Sequence, residues 1–258
     1  MLILVLFVIF MILAMVTGGD RTAKTIVTLL LNGLVMALSL GAMYMGVPPL
    51  AVSIVAMVLV SLITLFFQNE VNQKTAVSFV AVLVVNAAII LLIFFVVYQG
   101  HLQGMSNIGQ QYIRESNGFS GKIGLDMYMI QVAVILATLV GAVIDAAISV
   151  VSGIYQVAAH RPDAGSGELF LSGIRISKSI LSSTVNTLFF IFAGEYLLVF
   201  VDFMTYYSFT DLINSKEFAQ GSVGILISAL GSILVMPIAS FLAAKAFGKR
   251  EGSFGKER

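Results

Sequence analysis

Residues 127–153 read MYMIQVAVILATLVGAVIDAAISVVSG, and this stretch decides the fold class. It carries a single charged residue, Asp145, and it exceeds the ~20 predominantly apolar residues that a helix needs to cross a bilayer. Helices are favoured in hydrocarbon because every backbone hydrogen bond is satisfied within the segment. The stretch therefore predicts a transmembrane α-helix.

Six further apolar runs surround this one. Hydrophobic residues make up 59% of the chain and charged residues only 10%, whereas about a quarter of an ordinary globular domain is charged. We therefore predict an all-α, polytopic membrane protein with about seven transmembrane helices and the lipid bilayer as its surroundings. The first run is the shortest, and a signal peptide is its alternative reading; no positive charge precedes it, which favours a retained helix. The predicted spans are Leu2–Val16, Ile26–Met45, Leu50–Phe67, Ala76–Tyr98, Met127–Gly153, Ile176–Phe200 and Ser222–Ala244.

The basic residues predict the orientation, because loops rich in Lys and Arg resist translocation. An outside N-terminus and an inside C-terminus leave only Arg114, Lys122 and Lys216 in external segments. Residues 1–248 then form a single transmembrane domain, and residues 249–258 form a basic cytoplasmic tail. In the longest external connection, the helical spacing of Met105, Ile108 and Tyr112 predicts a short interfacial helix. The remaining basic residues are cytoplasmic: Arg21, Lys24, Lys74, Arg161, Arg175, Lys178, Lys245, Lys249, Arg250, Lys256 and Arg258.

Several classes of chemistry lack their residues. The net charge of +1 argues against a nucleic-acid surface, and the absence of cysteine removes thiolate chemistry and cysteine metal sites. The sequence has no H-E-x-x-H, no Gly-rich nucleotide loop and no G-x-S-x-G, and it has no second intramembrane aspartate for a two-aspartate protease. We therefore predict no enzyme activity, no metal site and no cofactor.

Asp145 is the residue that most needs an explanation. An acid near the centre of a membrane helix costs on the order of 3 kcal/mol, so it normally faces a cavity, a partner or an ion path. Gly141, Asp145, Ser149 and Ser152 share one helix face, and Gly153 follows them. A packing seam through Gly141, Ser152 and Gly153 is the alternative, and it explains the small residues. It does not explain an aspartate.

The sixth run carries a matching stripe, since Ser179, Ser182, Ser183 and Asn186 also share one face. We predict that the fifth and sixth helices pack as an antiparallel hairpin through these two stripes. Asp145, Ser149, Ser183, Asn186 and Thr187 would then form an ion or substrate path, although intramembrane asparagines also serve as contacts between helices. Glu195 lies in the outer third of its helix, where it is either part of this path or a packed or snorkelling side chain. Asn86 and Asn32 either line the same cavity or bond a neighbour.

These residues carry a resemblance to a known family. The segments Gly141-Ala-Val-Ile-Asp145-Ala-Ala-Ile-Ser149, Leu171-Ser-Gly173-Ile-Arg175-Ile and Asn186-Thr187-Leu188 resemble the YibE/YibF family of bacterial multi-pass membrane proteins. Weaker similarity covers most of the chain, and Ile144 replaces the Met that the family favours. The chain is similar to the shorter, YibF-like form. The resemblance implies the bacterial cytoplasmic membrane and a YibE-like membrane partner, with a homo-oligomer as the other arrangement.

Two functions follow as hypotheses. In the first, the chain is a membrane transport or export component coupled to a proton or cation through Asp145. The pattern of Gly141, Asp145 and Asn186-Thr187-Leu188 also faintly resembles the SecD/SecF and resistance-nodulation-division permeases, and this implies proton coupling by an intramembrane acid. In the alternative, the chain is a non-transporting scaffold subunit that stabilises a YibE-like partner.

Overall fold

The computed structural model describes residues 2–104, 126–206 and 208–248. Within these residues the chain is 90% helical and contains no strand. Seven helical segments of this part of the chain are long and apolar enough to cross a membrane. The predicted all-α, polytopic membrane fold with about seven spanning helices is therefore confirmed. The tail 249–258 and the predicted interfacial helix at Met105, Ile108 and Tyr112 lie outside the described residues.

Several of the helices extend beyond the apolar runs, because the polar turns that flank these runs remain helical. At ~1.5 Å per residue the 41-residue helix Ser166–Tyr206 measures on the order of 60 Å, about twice the hydrocarbon thickness, so it reaches beyond the apolar layer. The helices are α1 (Leu2–Tyr44), α2 (Pro49–Leu62, continued by the π-helical turn Ile63–Gln68), α3 (Gln73–Gln99), α4 (Met127–His160), α5 (Ser166–Tyr206), α6 (Phe209–Ile213) and α7 (Lys216–Phe247).

Polar side chains cap the starts of four of these helices, including α6, where the Ser208 side chain accepts from the Asp211 amide. The Asn72 side chain accepts a hydrogen bond from the Thr75 amide at 3.0 Å at the start of α3. Asp126 accepts from the first amides of α4, and Ser215 accepts from an amide in the first turn of α7. Each cap satisfies a backbone N–H that has no partner within its helix, so the sequence encodes these starting points locally.

The first two predicted spans form one kinked helix, α1. Gly19 has a φ of 55° and a ψ of −141°, a left-handed conformation that glycine adopts without steric cost. The segments on either side, Leu2–Gly19 and Thr22–Tyr44, are each long enough to span a bilayer. No residue of Leu2–Gly19 is buried within the chain. The surface of this first segment is therefore open to lipid or to another chain.

The helix α4 lies at the centre of the bundle and packs against α2, α3, α5 and α7. The helix α7 approaches α3 and α4 closely at Gly231. A Cβ atom at Gly231 would lie 2.3 Å from Leu139 Cδ1, 2.9 Å from Val143 Cγ2 and 3.2 Å from Ile89 Cδ1. Small residues allow such close approach of helices in lipid, where packing rather than the hydrophobic effect drives association.

Replacing Gly231 with alanine should destabilise the bundle, because the new methyl group meets these three side chains. We expect a loss of about 1–3 kcal/mol, the usual cost of overfilling a packed core. Gly224→Ala is the matched control, since Gly224 is also buried in α7 but a Cβ there has no atom within 4 Å. Thermal unfolding in detergent checks this; equal melting temperatures for the two variants would contradict the packing described.

Contacts between the helix ends group them at two ends of the bundle. At one end, Lys24 Nζ lies 2.8 Å from Glu70 Oε1, and Lys74 Nζ lies 5.0 Å from the centroid of the Tyr155 ring. The Tyr155 and Phe247 rings meet edge to face at 5.3 Å. We call this the basic end, and it comprises the kink of α1, the α2–α3 and α4–α5 turns and the C-terminus of α7.

The opposite end gathers the remaining turns. The Tyr128 hydroxyl donates to the carbonyl of Phe94 at 2.8 Å. The Gln220 amide donates to the carbonyls of Leu102 and Gly104 at 2.6 and 2.8 Å. Side-chain to backbone bonds of this kind fix the loop after α3 against α7. The spans from Thr22–Tyr44 onward therefore alternate in direction, as the predicted topology requires, while the side of the membrane that each end faces stays a prediction.

Candidate functional site

Asp145 lies near the middle of α4 on the surface of the bundle. Its neighbours Ile144 and Ala146 are buried against other helices, whereas Asp145 itself is exposed. The inner face of α4 is entirely apolar and includes Val143, Ala147 and Val150, none of which has any exposed surface. The carboxylate therefore points away from the packed core at a depth that the hydrocarbon layer occupies.

Within the described part of the chain, the Asp145 carboxylate has no hydrogen-bond or ion-pair partner. Lys24 pairs instead with Glu70, and Arg161 pairs with Glu168. Arg175 and Lys178, the basic residues nearest to Asp145 along the adjoining helix, are exposed and do not neutralise it. A charged carboxylate in this position is costly unless something outside this chain solvates or pairs it.

The predicted α4 stripe is present on the outside of the bundle. Gly141, Asp145 and Ser149 are exposed, and Ser152 and Gly153 are half-buried. A Cβ atom on Gly141 would meet nothing within 4 Å, so this glycine packs against no helix of the described chain. We call the surface formed by Gly141, Asp145, Ser149 and Ser152 the polar face of α4. Its role in packing against another chain stays a prediction.

The predicted path residues of α5 are also exposed. Ser183, Asn186 and Thr187 all lie on the surface, and so do Ser179 and Ser182. The Thr187 hydroxyl donates to the carbonyl of Ser183 at 2.9 Å, within its own helix. No side-chain hydrogen bond joins these α5 residues to the polar face of α4 within the described residues.

The prediction that α4 and α5 pack through their two polar stripes is wrong. The helices meet instead nearer the basic end, where a Cβ on Gly153 would lie 3.0 Å from Ile176 Cδ1 and a Cβ on Gly173 would lie 2.6 Å from Ile154 Cδ1. These glycines permit close approach between apolar side chains. The sequence stripe correctly grouped residues by helix face, but the apolar face of α4 is the one that packs, and the stripes remain on the surface.

Glu195 lies in the other half of α5, towards the opposite end, and is exposed. Beside it, the rings of Phe192 and Tyr196 lie 5.0 Å apart, and that of Phe200 lies 5.8 Å from the ring of Phe218 on α7. A Cβ on Gly221 would lie 2.6 Å from Tyr196 Cζ, so the absence of a side chain at Gly221 allows the Tyr196 ring to pack against α7. Here α5 packs on α7, towards the end of the bundle opposite the basic end and away from Asp145 of α4.

Asn86 is the polar residue that the bundle does enclose. It lies in the middle of α3 with no exposed surface, and neither its amide nitrogen nor its carbonyl oxygen has a partner among the described residues. Because Asn86 is enclosed and Asp145 is exposed, the two do not line one cavity as the sequence had suggested. Asn32 does bond a neighbour, since its amide nitrogen donates to Thr64 Oγ1 at 3.0 Å.

The described residues contain no group of three or more His, Cys, Asp or Glu side chains that could hold a metal ion. On the polar face of α4, Asp145 is accompanied by the hydroxyl groups of Ser149 and Ser152. Such a set binds a proton through the carboxyl group and offers hydrogen bonds along one helix face.

The seven spanning segments of the described residues, with a polar face inside the apolar zone, define a polytopic membrane protein. The chain belongs to the YibE/F-like family, because the profile described as YibE/F-like protein matches residues 6–249. The predicted family is thereby confirmed. No curated protein and no solved structure matches this chain.

Pairs of introduced cysteines test the contact between α4 and α5, because the chain itself has no cysteine. Oxidation of the Gly153→Cys, Ile176→Cys variant should form a disulfide in most molecules. A Cβ at Gly153 would lie 3.2 and 3.7 Å from the two Cγ atoms of Ile176, which brings the two Cβ atoms close to the ~3.5–4.5 Å that a disulfide requires. The Gly141→Cys, Asn186→Cys control should remain reduced. A protease site placed in the α4–α5 turn reveals the bridge on a non-reducing gel, and efficient bridging of the control pair would contradict the described packing.

Proposed function

We propose that the chain is a membrane transport or export component in which Asp145 binds a proton or cation. The observation that supports this most is a carboxylate exposed at mid-span on the surface of the bundle, with no partner among the described residues. Acidic residues at that depth are rare and usually belong to ion or proton pathways. A role in packing alone would be served by glycine and serine.

The proposed path runs along the surfaces of α4 and α5 through Ser149, Ser183, Asn186 and Thr187. All four are exposed in this chain, so a path along them needs a second wall. We propose that a partner supplies it, either a YibE-like membrane protein or a second copy of this chain. Glu195 would extend the path towards the opposite end, where water is nearer.

Coupling would rest on the large difference between the solvation of a charged and of a neutral carboxyl in a low-dielectric medium. Binding of a proton removes the charge and with it the cost of exposing Asp145 to hydrocarbon or to a dry interface. Release requires contact with water or with a cation. Access that alternates between these surroundings therefore ties protonation to the movement of α4 against its partner.

We further propose that the chain resides in the bacterial cytoplasmic membrane, with its N-terminus outside and its C-terminus inside. The support is the clustering of basic residues at one end, where Lys24, Lys74, Arg161 and Lys245 lie. Lys and Arg favour the cytoplasmic side. Lys216 lies at the opposite end, where it donates to the carbonyl of Gln103.

The alternative function is a scaffold subunit that stabilises a YibE-like partner without transporting anything. The open space above Gly141 favours it, because a Cβ there meets nothing within 4 Å and another helix can approach closely. In neither proposal does the chain act as an enzyme.

Asp145→Asn should abolish proton flux if the carboxyl carries the coupled ion, because an amide binds no proton near neutral pH. The chain, purified with any membrane protein that accompanies it, is reconstituted into liposomes with an internal pH indicator and an imposed potassium potential. We expect flux to fall to that of protein-free liposomes. Asp211→Asn is the control, because Asp211 lies in α6 outside the spans and should leave flux unchanged. Unaltered flux with Asp145→Asn would refute the coupling role.

The scaffold alternative predicts the opposite result for substitutions on the polar face of α4. Gly141→Leu and Ser149→Leu should prevent a helix of the partner protein from binding, since both side chains fill the space that close approach of two helices requires. If the chain is a scaffold only, these variants lose the accompanying membrane protein on affinity purification, and Asp145→Asn keeps both the partner and every cellular phenotype. Loss of phenotype with Asp145→Asn, while the partner is retained, identifies a function beyond scaffolding.

A further inference from the structure

A cleft of about 680 Å³ opens between α4 and α5 at the basic end. Its floor is apolar and consists of Gly153, Val157 and Ile176. Its rim is polar and basic, because the lining also includes Gln156, His160, Arg161, Ser172 and Arg175. Among the described residues, no acidic side chain lines it. The cleft thus combines hydrogen-bond donors and positive charge with an apolar base.

The two arginines of the rim differ in their bonding. Arg161 donates to Glu168 Oε1 at 2.8 Å, and this contact holds its guanidinium beside the cleft while leaving further N–H groups available. Arg175 is exposed and has no hydrogen bond or ion pair within the described residues. Arg175 lines the same cleft as Arg161. An arginine fork that is free of intramolecular bonds suits a phosphate group, which it binds through paired hydrogen bonds.

The depth of the cleft indicates where such a phosphate comes from. Gly153 contacts Ile176 at the floor, and His160 ends α4 two turns beyond Gly153. At ~1.5 Å per residue the rim lies roughly 10 Å beyond the floor, so the cleft extends from the apolar span to the headgroup layer. A soluble phosphate makes no favourable contact with an apolar floor. A phospholipid places its headgroup at the rim and packs its acyl chains against the floor.

We propose that this cleft binds the phosphate headgroup of an anionic phospholipid, with Arg175 as the principal donor and Arg161 as the second. Gln156, Ser172 and His160 supply further hydrogen bonds around the headgroup. Basic pockets between transmembrane helices on the cytoplasmic side suit anionic headgroups in this way. The proposal does not depend on transport, because Asp145 takes no part in it.

Native mass spectrometry of the detergent-purified chain, titrated with phosphatidylglycerol or phosphatidylcholine, tests the site. We expect the wild-type chain to bind phosphatidylglycerol more tightly than phosphatidylcholine. Arg175→Gln should weaken phosphatidylglycerol binding about tenfold or more, because a charge-assisted, paired contact is lost. Arg175→Lys should keep part of the affinity, since it retains the charge but not the fork.

Lys178→Gln is the matched control, because Lys178 is exposed on the same helix and does not line the cleft. Equal loss with Lys178→Gln, or no loss with Arg175→Gln, would overturn the site in favour of non-specific surface charge. Inorganic phosphate and glycerol 3-phosphate form a second arm. If either displaces the lipid fully at millimolar concentration, the site belongs to a soluble phosphate compound and the lipid assignment is wrong. Melting temperatures without lipid confirm that each variant is folded.

Discussion

The structure depends on the way α4 presents an apolar face to its neighbours and a polar face to its surroundings. Val143, Ala147 and Val150 are completely buried, whereas Asp145 and Ser149 are exposed. In water this would be an ordinary amphipathic helix. In a bilayer the surroundings are hydrocarbon, so the polar groups face the medium that solvates them least. Such a helix is incomplete in a single chain, and its exposed face needs a partner, water or both.

The rest of the bundle supports this placement of α4. Gly231 lets α7 approach the apolar face closely, and Gly153 and Gly173 let α5 contact α4 near the basic end. Beyond that contact, α5 packs on α7 through the rings of Phe192, Tyr196 and Phe218. Because α5 packs on α7 there, it does not cover the polar face. The positions of three small residues and one ring cluster thus determine which surfaces remain open.

Hydropathy predicts the spans well, because the length of an apolar run is a property of the sequence alone. It predicts the rotation of a helix about its axis poorly. Lipid tails are as apolar as the interior of the bundle, so an apolar face gains no transfer free energy by facing another helix rather than lipid. This is why the Asp145 stripe was recognised from its spacing, but its proposed contact with Ser183 and Asn186 was not found. Gly153 and Gly173 look no different from Gly141 in the sequence, yet only the first two admit a neighbouring side chain. The enclosure of Asn86 could not be predicted for the same reason.

The polar face and the basic cleft meet at one turn of α4. Ser152 ends the polar face, and Gly153 begins the floor of the cleft, so a headgroup bound at Arg175 lies directly beside the surface that a partner helix would cover. A partner that covers the whole polar face must therefore either contact that headgroup or displace it. Since Gly153 leaves no room between α4 and Ile176, this competition takes place on the outside of the bundle and not within it. If both bind as proposed, lipid composition and partner binding are linked through adjacent surfaces, without any change in the packed core.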